Sequence, residues 1–376
     1  MRVAVVAEFY PRRHDPVLGV WAHRQALAAR DAGAEVSVFV LHRLIPPRRQ
    51  LRALPALLRQ PSRERRDGLD VRYVRFVSPP RGRSYAHWGA WAAPALSRAL
   101  RRAGTFDVIH AHNAVPAGDA ALRAGEGYAL VVSVHGGDVL WVPARVPSGA
   151  ATVSRVLGAA RVVLANSTGV GTLASEHGAR STRVVHLGAD VPAPSVADPQ
   201  PLVVSLGHLV ARKRHADVMH AVAALPGVRY RVIGDGPERG SLERLAAALG
   251  ISDRVELTGQ LEPRQALSAL RGAWAMALPS TEEAFGVAYI EAMAAGIPAI
   301  GCRGEPGPEE IAAVGEGIVL VAPRSAQALT QALRELLGDR ERREALATGA
   351  RLTVEREFTW ERCGERTLAA YEAALA

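Results

Sequence analysis

One lysine stands among 45 arginines in this chain. It is Lys213, in the run "LGHLVARKRH" from Leu206 to His215. An ammonium is a compact point charge on a flexible stem, whereas a guanidinium is a broad planar fork. An Ala- and Arg-rich composition with two asparagines points to codon drift as the source of most arginines. A lysine retained against that drift fits a narrow anion pocket. Gly207 ends the preceding apolar run and Lys213 falls at the entrance to the next helix. Loop amides, helix dipole and ammonium would therefore converge on one anion. The alternative is a solvated basic helix start with Arg212 and Arg214 alongside, which places like charges at the positive end of a helix.

A second group of reactive side chains lies in "PSTEEAFGVAYIEAMAAGIPAI", residues 279–300. Pro279-Ser280 closes a strand, Gly286 opens a helix and Gly296-Ile297-Pro298 ends it. Glu283 then falls in the loop and Glu291 inside the helix. A carboxylate beside Ala-Phe-Gly is not a solvated-surface pattern, and two acids eight positions apart do not form one helical stripe. A carboxylate accepts hydrogen bonds and donates none, which suits vicinal hydroxyls. Glu283, with the amides of Phe285, Gly286 and Val287, would hold one end of an extended ligand, and Glu291 the other. No Asp-x-Asp lies nearby to hold a diphosphate through a metal ion. No Ser/His/Asp arrangement with a nucleophile elbow is present either.

The elements that carry these residues alternate regularly. Val3–Ala7, Glu35–Val40, Asp107–His110, Leu130–Val134 and Val162–Ala165 read as short buried strands, and Val20–Ala32 as a helix closed by Gly33. After "VPAPSVADPQP" (Val191–Pro201), a proline-rich linker, the rhythm restarts with Leu202–Leu206, Val228–Ile233, Val255–Thr258, Ala273–Leu278 and Pro298–Cys302. Alternating β and α segments predict parallel sheets covered by helices. At 376 residues, two such domains are expected. Ligands of these sheets sit beyond the carboxyl ends of the strands, here in the cleft between the domains.

Bulk properties exclude several classes. Hydrophobic residues make up 48% of the chain, so packed cores are assured. Cys302 and Cys363 form neither a disulfide framework nor a zinc cluster, which fits a reducing cytosol. The N-terminus reads as no signal peptide, and no apolar stretch is long enough to span a membrane. Charge is uneven: residues 1–195 hold 26 arginines against 13 acids, while the remainder holds 20 basic and 24 acidic residues. The first half therefore faces an anionic partner or a basic solvated surface. Within it, Arg43–Arg66 holds eight arginines and one acid, with Leu51, Leu54, Leu57 and Leu58 at near-helical spacing broken by Pro55. Tyr85, Trp88 and Trp91 follow. Such a segment suits an anionic membrane surface or a flap over a soluble acceptor.

"GHLVARK", "VIGDGPE" (Val232–Glu238) and the Glu283-x7-Glu291 spacing together resemble the family 4 retaining nucleotide-sugar glycosyltransferases, as found in bacterial polysaccharide biosynthesis. "EFYPRRHDPVLGVWAHRQALAARDAGAEVSV", "DVIHAH", "SVHGGD", "VVLANS" and "VVHLGAD" follow the family's order across nearly the whole chain. The resemblance implies a GT-B fold: two Rossmann-like doubly wound α/β domains facing across a cleft. Residues 1–190 would form the acceptor-side domain, 191–201 the linker, and 202–357 the donor-binding domain. The C-terminal helix, 358–376, would pack back on the first.

Carried over by position, the resemblance implies that Lys213 contacts the donor diphosphate and Glu291 the ribose hydroxyls. Glu283, with Phe285, Gly286 and Val287, would bind the donor sugar, and Asp235 would belong to the same donor site. Gly19 would let backbone approach the phosphates, and His135 would lie beside the sugar, against the reading of a satisfied core histidine. His112, Asn113 and Asp138 would face the acceptor. Where the family commonly has arginine this chain has His208, so either His208 supplies a hydrogen bond or Arg212 takes over the charge.

The implied reaction is retaining and metal-independent. It moves a hexosyl or acetylhexosaminyl group from a UDP- or GDP-sugar to a glycan or lipid-linked hydroxyl, with the departing phosphate oxygen as base. The nucleotide sugar is a substrate and no cofactor is implied. Nucleic acid is not an expected partner, and the enzyme would work in the cytoplasm or at the inner face of the cell membrane. Competing readings are a nucleotide-sugar epimerase or sugar phosphorylase of the same fold, and a basic nucleic-acid binder. A dinucleotide-dependent oxidoreductase would need glycines where Glu8-Phe9-Tyr10-Pro11 stands.

Overall fold

A computed structural model describes residues 1–45, 54–125 and 127–376. The chain divides into two compact units, Met1–Leu187 with Trp360–Ala376, and Gly188–Thr359. Each is built on its own sheet.

The strands of the first unit are β1 (Arg2–Ala7), β2 (Glu35–Arg43), β3 (Arg63–Arg66), β4 (Leu69–Phe76), β5 (Val108–His112), β6 (Ala129–Val134), β7 (Val162–Ala165) and β8 (Thr182–Val184). Their spatial order is β3-β4-β2-β1-β5-β6-β7-β8. Every pairing is parallel except β3 with β4. β1 is buried over nearly its whole length, as expected of a central strand covered on both faces. Successive strands build outward from β1 in both directions, so the order reverses between β1 and β5. In doubly wound sheets, ligands bind outside the carboxyl ends of the strands at such a switch point.

The second unit has β9 (Leu202–Leu206), β10 (Arg229–Ile233), β11 (Val255–Leu257), β12 (Ala275–Ala277), β13 (Ala299–Cys302) and β14 (Ile318–Val321), ordered β11-β10-β9-β12-β13-β14 and parallel throughout. Its switch point falls between β9 and β12. Lys213 follows the first of these strands and Glu283 the second.

Two boundaries differ from the sequence reading. The proline-rich stretch is not a free linker: residues 188–201 belong to the second unit. Asp198 pairs with Arg229, its carbonyl accepts the Trp274 indole N–H at 2.8 Å, and Arg271 donates to the Ala193 carbonyl at 2.9 Å. Phe358 is fully buried against Phe285 of the second unit, so the return to the first begins at Trp360. The helix Trp360–Leu375 is fixed there by Gln25 donating to Thr367 at 3.1 Å and by a Tyr371–His110 hydrogen bond of 2.7 Å.

Candidate functional site

In the second unit, β9 runs into Gly207 and a loop that ends in a single 3₁₀ turn, Ala211–Lys213. Arg214 takes a left-handed conformation (φ 56°) before the helix His215–Ala223 begins. The "VIGDGPE" segment supports this loop from β10. The Leu209 amide donates to the Asp235 carbonyl at 3.1 Å and the Glu238 amide to the Leu209 carbonyl at 3.0 Å. Gly236 is required by the close approach, since a Cβ there would stand 2.5 Å from the Leu209 carbonyl oxygen. Asp235 itself turns its carboxylate onto the Gly236 amide at 2.8 Å and is exposed.

Lys213 is buried, and its ammonium donates to the Glu283 carboxylate at 2.5 Å. Two residues that the sequence assigns to different parts of a donor therefore touch one another. An ammonium has three N–H donors, so the pair leaves capacity for a second anion. Burial pushes the Glu283 carboxyl up, but Lys213, helped by Arg212, outweighs it and holds Glu283 below the ordinary carboxylate range. The loop before the next helix is tied to the lysine loop by the Thr281 amide, which donates to the Arg212 carbonyl at 2.8 Å. Gly286 (φ 83°) opens the helix Val287–Ala294, and a Cβ there would lie 2.3 Å from the Tyr289 ring. Phe285 is buried, whereas Val287 and Glu291 on the helix are half-buried. The first amides of this helix lack intrahelical partners. Arg212 and His208 are exposed, and His208 hydrogen-bonds the Asp235 carbonyl at 3.3 Å.

The first unit gathers a different set at the ends of β1, β5 and β6. Gly19 (φ 66°) caps the helix Val20–Asp31, and a Cβ there would stand 2.2 Å from the Phe9 carbonyl. His112 and His135 stack at 5.2 Å and share a 3.0 Å hydrogen bond between His112 Nδ1 and His135 Nε2. Asn113 donates to Asp138 at 2.9 Å, and the His135 amide reaches the same carboxylate at 3.3 Å. His135, His112, Asn113 and Asp138 thus form one network. Burial lowers His135 to about 4 and His112 well below its ordinary value, so both are neutral imidazoles. Burial also pushes Asp138 up to about 7, against the hydrogen bonds from Asn113 and the His135 amide.

Three buried polar atoms in this region have no hydrogen-bond partner: His112 Nε2, His135 Nδ1 and Trp21 Nε1. The Trp21 ring lies 6.0 Å from His135. Buried polar atoms are nearly always satisfied by protein or water, so these three leave hydrogen-bonding capacity open in this region. His110 is not part of that set: it is held by Tyr371 and Ser133, each at 2.7 Å. His186 pairs with Arg366.

The sequence reading missed Glu8 and Trp21. Glu8 is buried just past β1, accepts the Tyr85 hydroxyl at 2.7 Å, and is pushed up by burial against the pull of Arg81. An acid directly after five buried apolar residues was the available signal. Of the aromatic trio expected at an interface, Tyr85 and Trp88 are buried and Trp91 alone is exposed. Leu57 is likewise buried, Leu54 and Leu58 are exposed, and Leu51 lies outside the described residues. Among the described residues, no helix is long and apolar enough to cross a membrane, and no three His, Cys, Asp or Glu side chains gather as metal ligands would.

Comparison with known proteins identifies the family and the fold. The family model described as Glycosyltransferase Family 4 matches residues 18–192, and that of Glycosyl transferases group 1 matches residues 190–353. A lipopolysaccharide core biosynthesis glycosyltransferase of Rhizobium meliloti is 32% identical over 53% of this chain and 54% of its own. The matched region thus spans about half the length of that relative. The solved sucrose-phosphate synthase of Thermosynechococcus elongatus superposes with a TM-score of 0.80 at 20% identity, over 99% of this chain and 98% of the other. The Anabaena protein HepE, in complex with UDP and glucose, gives 0.73 at 19% identity over 98% of each chain. The chain belongs to the family 4 glycosyltransferases, built on the two α/β domains of the GT-B fold.

Proposed function

We propose that the protein is a retaining glycosyltransferase that takes a sugar from a UDP- or GDP-sugar and transfers it to a hydroxyl of a glycan or lipid-linked acceptor, in cell-surface polysaccharide or glycolipid synthesis. The observation that carries the reading is the buried Lys213–Glu283 pair at the switch point of the second sheet. In this reading Lys213, with Arg212 or His208, stabilises charge on the departing diphosphate, and the first amides of the helix at Gly286 add to it. Glu283 accepts from donor-sugar hydroxyls and Glu291 from the ribose. His135, His112 and the Asn113–Asp138 pair serve hydroxyl groups, for which neutral donors and acceptors are suited. The leaving phosphate oxygen takes the acceptor proton, and no metal ion takes part.

Calorimetry with UDP and GDP, each with and without EDTA, tests the donor reading. One of the two should bind independently of the chelator, and Glu291→Ala should weaken that binding about ten-fold, the equivalent of ~1.4 kcal/mol. Loss of binding on chelation would overturn metal independence. Absence of binding for both nucleotides would overturn the donor site. Product analysis of each nucleotide sugar without any acceptor separates a transferase from an epimerase.

The acceptor side of the reading includes an anionic membrane surface. Five of the eight large apolar side chains exposed among the described residues fall between positions 45 and 91: Ile45, Leu54, Leu58, Val77 and Trp91. Arg43 links their surroundings, donating to the Ser78 and Pro79 carbonyls and stacking 4.6 Å over Trp88. Exposed apolar side chains in an arginine-rich stretch of sequence suit a headgroup layer. Cosedimentation with anionic vesicles at low salt should capture the wild type and release Trp91→Ser with Leu58→Ser. Absence of capture would leave a soluble acceptor.

A further inference from the structure

The loop that carries Glu283 is held from a direction the donor reading does not use. Glu305 occupies the N-cap position of the helix Pro306–Val314, where a side chain ordinarily turns inward to satisfy that helix's own first amides. The Glu305 side chain makes no such cap. It accepts the backbone N–H of Glu283 at 2.8 Å instead. Two residues on, the Gly307 amide donates to the Glu283 carbonyl at 3.0 Å, so both backbone groups of Glu283 are engaged by this one turn. The fit is close: a Cβ on Gly307 would lie 2.2 Å from the Phe285 carbonyl oxygen. The residue before Glu283 needs such a restraint, because Glu282 holds a left-handed conformation (φ 57°) that side-chain-bearing residues rarely adopt without one.

The placement is electrostatically unfavourable in itself. Burial pushes the Glu305 carboxyl up, and the neighbouring charges of Glu283 and Glu282 add to the rise against the hydrogen bonds it receives. A short polar residue would cap the helix better, and a neutral one would avoid the repulsion.

We propose that Glu305 is a positioning residue: by accepting the Glu283 amide it fixes the strained Glu282–Glu283 backbone, and so aims the Glu283 carboxylate at Lys213 and the donor sugar. The proposal rests on the reading of the second unit as the donor site. Turnover should depend on Glu305 while affinity for the nucleotide alone does not. Glutamine should substitute, since its carboxamide oxygen accepts the same N–H without the charge.

The test compares full-length wild type, Glu305→Ala and Glu305→Gln by amide hydrogen exchange over residues 279–288. The same proteins are assayed by calorimetry with UDP and GDP, and by release of nucleoside diphosphate from UDP-glucose and GDP-mannose. In Glu305→Ala, exchange at the Glu283 amide should rise and kcat should fall, each roughly ten-fold for one lost hydrogen bond. Nucleotide affinity should stay within about two-fold, and Glu305→Gln should track the wild type. Unchanged exchange in Glu305→Ala overturns the proposal, as does a glutamine variant as impaired as the alanine one. Failure of the wild type to bind either nucleotide overturns the donor reading instead, and the exchange comparison then decides the clamp by itself.

Discussion

The two units both place reactive groups beyond the carboxyl ends of their strands yet solve opposite electrostatic problems. Beyond β9 and β12, a full positive and a full negative charge are buried against one another at Lys213 and Glu283. Beyond β5 and β6, burial has removed charge: His112 and His135 are neutral, and Asp138 is pushed up to about 7. A charge pair suits a ligand that leaves as an anion, because the ammonium can share its donors between a carboxylate and a phosphate. Neutral imidazoles suit an uncharged hydroxyl, because each ring presents one donor and one acceptor. One fold therefore prepares two environments, and the difference lies in which groups burial is allowed to neutralise.

The largest effect that could break this contrast lies in the second unit. Lys213→Ala strands the Glu283 carboxylate, and removing one member of a buried pair costs about 3–5 kcal/mol. The variant should therefore melt earlier as well as lose at least about ten-fold in turnover. Lys213→Met combined with Glu283→Met should recover most of the stability and none of the activity. A single lysine variant with wild-type melting would show that the pair is solvated.

Gly19→Ala comes next. It introduces a Cβ against the Phe9 carbonyl in a left-handed conformation, and should cost about 2 kcal/mol or more. Nucleotide binding should survive unless backbone at Gly19 approaches the donor phosphates, as the family resemblance implies. Calorimetry on the variant checks this, and loss of binding would tie the two environments together.

The smallest effect is a difference in pH response. His110, His112 and His135 are held neutral in the fold, lowered by burial to about 3, well below the ordinary value, and to about 4 respectively. The unfolded chain takes up these protons near pH 6.5. Their contribution is thus complete above that pH and is lost as pH falls from 6.5 toward 4. Asp138 and Glu8, with their raised values, work in the other direction, but they are two groups against three. Glu283 lies below its ordinary value, so its contribution is lost only under stronger acid. Hydrogen exchange at pH 5 and pH 7, corrected for intrinsic rates, should show the first unit loosening before the second. His135→Gln should reduce the gap. Equal loosening of both units would remove the contrast.

The placement of the second unit's motifs was legible because it depends on local spacing. Gly207, Lys213, Glu283, Gly286 and Glu291 all fall where strand ends and helix starts could be read from apolar runs and glycines. Contacts between distant segments were not legible. Nothing local says that Lys213 reaches Glu283 seventy positions away, or that Glu305 turns from its own helix to a neighbouring loop. The hairpin of β3 and β4 escaped for another reason. Arg63–Arg66 has no apolar residue to signal a strand, and Arg63 and Arg72 pair with Asp70 at its surface. Its Asp67-Gly68 turn, with both residues at positive φ, was the readable mark. In the arginine-rich segment, periodicity picked out leucines without saying which of them the sheet would cover.

The helix Trp360–Leu375 has a consequence for how the molecule is made. It supplies Thr367 and Tyr371 to the first unit, and Gly364 lies so close to the helix Val20–Asp31 that a Cβ would stand 2.3 Å from the Ala28 carbonyl. The ribosome delivers residues 1–187 first, but the piece that seals their sheet follows only after residues 188–359. At roughly 5–20 residues per second, that interval is on the order of ten seconds or more. The half that is synthesised first is thus the half that matures last. During this wait the face destined for the helix is uncovered, and the second half can reach its finished state ahead of it.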